Sequence, residues 1–100
     1  MNQEELKVTQ GSQNVFDDLG FAPEDSQNLR IKADLMLNLR SFIQSKGWTQ
    51  QKAAQFFGET QPRISDLMTG DIERFSIDKL VKMLSRAGLE VRVEVGLKAA

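Results

Sequence analysis

A chain of 100 residues, 40% hydrophobic and 27% charged, has room for one modest core and the composition of an ordinary globular domain. It contains no His, Cys or Tyr, so the commonest general base, the thiolate nucleophile, the usual zinc ligands and any disulfide framework are missing. No metal, no cofactor and no enzymatic activity are therefore expected. The net charge of −1 conceals an uneven distribution, with −5 over residues 1–28, +3 over 29–70 and +1 over 71–100.

Residues 1–22 read as an acidic N-terminal arm. Leu6 and Val8 alternate with polar residues, Gly11 to Asn14 interrupt, and Val15, Phe16, Leu19 and Phe21 then cluster around Asp17 and Asp18. The arm is expected to be irregular, with its apolar side chains docked either on the chain's own core or on a partner. The start of the chain has neither the basic residues nor the apolar run of a signal peptide, and no apolar stretch is long enough to span a bilayer. Residence in the cytoplasm, without membrane contact, is the expectation.

Residues 23–88 read as one helical domain. Pro23 opens a helix with Glu24 and Asp25 in the first turn, where acids complement the positive helix end. Leu35, Leu39, Phe42, Ile43 and Lys46 fall on one stripe, Met36 and Leu37 widen it, and Gly47 supplies the C-cap. Thr49 then caps a helix of about two turns that ends at Gly58, and Thr60 caps another that ends at Gly70, with Pro62 in its first turn. A last helix starts at the cap Ser76, places Ile77, Leu80, Val81 and Leu84 on one side, and ends at Gly88. Over 89–95 the period changes to two, with Leu89, Val91, Val93 and Val95 alternating with charges, which predicts a half-buried strand; residues 96–100 are a tail.

The two short capped helices have the grammar of a helix-turn-helix. Ala54 is small where the second helix crosses close above the first. Gly58 allows the positive φ of the turn, and Ile64 and Leu67 turn the second helix's apolar side into the core. An αα-hairpin that only packs is the bland alternative. With Ile64 and Leu67 inward, Thr60, Gln61 and Arg63 stand at the N-terminal outer face of the second helix, the position from which base edges are read. Gln61 can pair with adenine N6/N7 and Arg63 with guanine O6/N7. Gln50, Gln51, Lys52 and Thr69 are candidate contacts to the DNA backbone, Gln50 with the open N–H groups of its helix start.

Thr49 to Gly70, TQQKAAQFFGETQPRISDLMTG, resembles the Cro/phage-repressor class of helix-turn-helix proteins, the XRE family. With Asn14 to Gly20 ahead of it and Phe75 to Leu80 behind, the pattern resembles small XRE proteins of the HigA-type antitoxin group, over roughly residues 14–95. The resemblance implies a mainly α, compact helical bundle of the lambda-repressor-like type, here with a C-terminal β-strand added. It also implies a homodimeric transcriptional repressor of its own operon and a basic RNA-cleaving toxin as partner. The strand is not required of the Cro class, so dimer geometry does not carry over.

Two further readings compete. Ser76-Ile77-Asp78-Lys79 has the S-x-x-K spacing of acyl-transferring serine enzymes, but no accompanying motif, and a helix cap explains Ser76. A protein-interaction module would keep the fold and bind a protein rather than DNA, which the near-zero net charge allows. A homodimer on a palindromic double-stranded operator is expected because one recognition helix reads only a few base pairs, with half-sites ~34 Å apart or a multiple of that. An edge at Leu89–Val95 needs a partner for its N–H and C=O groups, either the same strand of a second subunit or Leu6–Thr9.

Overall fold

The computed structural model describes residues 15–97. Most of the acidic arm, including Leu6–Thr9, and the last residues of the tail lie outside that range. Five helices follow in order: α1 (Val15–Asp18), α2 (Pro23–Lys46), α3 (Gln50–Phe57), α4 (Gln61–Thr69) and α5 (Ile77–Arg86), with one 3₁₀ turn, Ile72–Arg74, between α4 and α5. No described helix is long and apolar enough to cross a membrane.

The long helix α2 is the spine, roughly 36 Å at 1.5 Å per residue. Pro23 supplies a preset φ and lacks only an N–H that the first turn would leave orphaned. Gly47, at φ 68°, ends the helix, its N–H on the Gln44 carbonyl and the Trp48 N–H on that of Ile43. Among the apolar side chains of α2, the fully buried line is Met36, Leu39 and Ile43. Met36 is thus part of the core, whereas Leu35 is only half-buried and Leu37 faces solvent.

Around that line Ala53, Ala54, Phe57, Ile64, Leu67, Phe75, Leu80, Met83 and Leu84 close a single core. Helices α4 and α5 both pack on α2, and α3 packs on α4. One end of the core is aromatic. Trp48 and Phe56 lie 4.8 Å apart between ring centres, Phe56 and Phe57 4.9 Å, and Phe42 and Trp48 5.8 Å in an edge-to-face pair. These rings tie the last turn of α3 to Trp48 and to Phe42 near the end of α2.

Two expectations need correction. Val15–Asp18 is a helical turn packed on α2 rather than irregular chain, and Phe16 meets Phe21 edge-on at 6.0 Å between centres. Val15, Leu19 and Phe21 nonetheless stay exposed, so these three do not cap the core. The C-terminal strand is not formed either: among the described residues no segment is paired as a strand. After Gly88, at φ 82°, residues 89–97 run without regular structure. Leu89 and Val91 lean on the core, and beyond them the apolar side chains stand in solvent. A strand exists only as a ladder, and the described residues offer this segment no second rung.

Candidate nucleic-acid interface

Each cap of the helical pair falls on the residue the sequence marks for it. Thr49 Oγ1 accepts the Lys52 N–H at 3.1 Å, and Thr60 Oγ1 accepts the Arg63 N–H at 3.3 Å. Gly58 takes φ 66°, and the Glu59 N–H returns to the Ala54 carbonyl at 3.0 Å, a closure that needs the left-handed residue between them. Ala54 is buried, and Ile64 and Leu67 are wholly so. The apolar side of α4 is thereby turned into the core against α2 and α3, and its opposite side faces solvent.

That free side is rich in amides and poor in free cations. Gln50, Gln51, Lys52 and Gln55 on α3 are exposed, as are Thr60, Gln61, Pro62 and Thr69 along α4. Because the Thr49 side chain satisfies only the third N–H of α3, the backbone donors of Gln50 and Gln51 stay open, with the exposed Lys52 next in the chain. In α4 Pro62 removes one such donor, so the α3 end is the better seat for a phosphate. Gln55 adds an amide to this face that the helix-turn-helix spacing does not single out.

The other sequence-marked residues are placed with more commitment. Arg63 is half-buried: its guanidinium donates to the Arg74 carbonyl at 2.7 Å and lies 5.4 Å from the centre of the Phe75 ring. It pins the 3₁₀ turn to α4, and only its remaining N–H groups are available to a base. Thr69 gives its hydroxyl proton to the Ser65 and Asp66 carbonyls, at 3.0 and 3.2 Å, so a phosphate, which only accepts, would have to break that bond. Thr60 caps through its oxygen and keeps its proton to donate.

Cations that the sequence leaves unplaced also serve the scaffold. Arg86 Nε donates to the Phe56 carbonyl at 2.9 Å, tying the end of α5 to the end of α3. Lys79 pairs with Glu59 in the turn between α3 and α4. Arg74, largely exposed, pairs with Asp71 at 3.2 Å. Ser76 Oγ is the cap that accepts the Lys79 N–H at 3.0 Å, while the Lys79 ammonium is engaged with Glu59.

A family model described as a helix-turn-helix domain matches residues 15–96. The chain belongs to that family. A solved structure carrying the provisional description of an XRE family transcriptional regulator is similar to this helix-turn-helix protein at 27% identity and a TM-score of 0.68, covering 74% of this chain and 83% of the other. The helix-turn-helix is thus of the XRE type. No curated protein matches the sequence.

Proposed function

We propose that this XRE-type protein is a homodimeric repressor that reads a palindromic operator with α4, placing Gln61 on an adenine edge and anchoring α3 on the flanking phosphate. DNA binding by a transcriptional regulator is the activity its family supports. The observation that carries the finer reading is the exposed Gln61 at the start of α4, beside the open N–H groups of Gln50 and Gln51 and the exposed Lys52. Thr60 contributes its hydroxyl proton next to Gln61. Arg63 reaches guanine with the N–H groups not given to Arg74, and its removal would also loosen the 3₁₀ turn from α4, which makes Gln61 the cleaner probe. Thr69 leaves the contact set, for the reason given by its internal bonds.

The test is a gel shift or anisotropy titration on DNA upstream of the protein's own reading frame. Gln61→Ala is expected to lose ~1–3 kcal/mol of discrimination at one base pair. Lys52→Ala should weaken binding to every sequence alike and lower the salt slope by about one. If the unaltered protein binds this DNA no better than random competitor, the operator reading fails.

A second reading concerns the arm. Val15, Leu19 and Phe21 are exposed beside Asp17 and Asp18, which suits a protein partner with a basic, partly apolar face. The family resemblance makes that partner a basic toxin, with the chain as its antitoxin. Deleting residues 1–22 should then leave folding and DNA binding intact while abolishing capture of a co-encoded basic protein. Aggregation or unfolding of the shortened chain would count against it.

A further inference from the structure

The segment after α5 keeps its alternating pattern without a paired strand among the described residues. Leu89 and Val91 lie against the core, while Val93, Val95 and Leu97 are 82%, 89% and 101% exposed. These five alternate with Glu90, Arg92, Glu94 and Gly96. The Glu90 and Arg92 side chains meet at 3.6 Å, as side chains two apart on one face of an extended chain can. The apolar face that begins on the helical body therefore runs off its edge into solvent.

We infer that residues 89–97 pair antiparallel with the same segment of a second copy, with Val93 on the two-fold axis. This rests on the dimeric reading above and gives it a geometry. Only pairings that set apolar against apolar keep one face dry, and the charges choose among them. A centre on Arg92 sets Arg92 against itself and Glu90 against Glu94, like charges directly opposite. A centre on Glu94 sets that carboxylate against its own copy. A centre on Val91 matches Glu90 with Arg92, but it would pair Val95 with Ala87, which is helical at φ −78° and ψ 0°, and it leaves Leu97 unpaired.

The centre on Val93 alone uses all nine residues. It sets Leu89 opposite Leu97, Val91 opposite Val95 and Val93 opposite itself on one face. On the other it makes two ion pairs between Arg92 and Glu94, while Glu90 faces Gly96. A lone two-stranded ribbon is marginal in water. Here each end of its apolar face would rest on a helical body, where Leu89 and Val91 already pack.

The chain has no cysteine, so single substitutions report the register directly. Val93→Cys places the two sulfurs on residues directly opposite, with Cα atoms about 4.5–5.5 Å apart, within disulfide range. Val95→Cys lies opposite Val91, so its own copy stands about 13 Å away at 3.3 Å per residue. Under mild oxidation of the full chain, Val93→Cys should run as a covalent dimer on a non-reducing gel while Val95→Cys stays single. Arg92→Glu should raise the dimer dissociation constant at least tenfold, and adding Glu94→Arg should restore it.

Sedimentation of the unaltered protein separates the possible failures. A dimer in which Val93→Cys does not cross-link, or in which Val91→Cys cross-links to itself, overturns this pairing and leaves the dimeric repressor standing. A monomer on operator DNA overturns both. A monomer that dimerises through this segment only with a different protein gives the edge to another occupant and likewise sinks self-pairing.

Discussion

The helix-turn-helix at Thr49–Gly70 and the segment 89–97 have equally regular sequence patterns, yet only the first has become the element its pattern describes. The cap and turn bonds that shape the pair close within a few residues: Thr49 to Lys52, Thr60 to Arg63, Ala54 to Glu59. A strand closes nothing by itself, since its hydrogen bonds run to another strand. The alternation of Leu89 to Val95 thus specifies an edge and a dry face but not the molecule that completes them. Local signals name structures; pairing signals name relationships.

This contrast is most sharply tested inside the pair. Ile64 is wholly buried, so Ile64→Ala should cost ~2–5 kcal/mol of unfolding free energy, read by urea titration followed by circular dichroism. A loss well under 1 kcal/mol would mean that α4 is held mainly by something other than its apolar side. Next in size, Thr60→Ala removes the cap that α4 needs and should cost ~0.5–2 kcal/mol in the same titration, with Thr60→Ser close to neutral. At the other end of the molecule Val95 touches little within its own chain. In dilute solution Val95→Ser should change stability by no more than about 0.5 kcal/mol. A larger effect that grows with protein concentration would locate the missing contact in a second copy, because binding stabilises by mass action.

The same distinction explains what can be read from residues alone. The side-chain caps at Thr49, Thr60 and Ser76, the glycine turn and the inward residues of α4 are legible because their spacing is their cause. The burial of Met36 rather than Leu35 is not, since it depends on how α2 is rotated against α5. The stripe of α2 is broad enough to permit either. Arg63 reads as a free reader of bases until its acceptor is known, and that acceptor is the backbone carbonyl of Arg74, eleven residues on, in a 3₁₀ turn with no strong sequence signature. Arg86 and Lys79 are unassignable for the same reason, their partners lying thirty and twenty residues away. What reaches DNA is therefore decided partly by subtraction, as the scaffold first claims several of the cations.

The aromatic end of the core has a practical corollary. Trp48 is the sole tryptophan of a chain without tyrosine, so nearly all of the protein's near-ultraviolet emission comes from one ring. That ring is wedged between Phe42 and Phe56, one residue before the cap of α3. Its fluorescence is a built-in gauge of whether α3 is seated on α2, and it sits next to the helix end proposed to meet phosphate. No dye needs to be attached to follow folding, operator binding or the arrival of a partner at this end of the molecule.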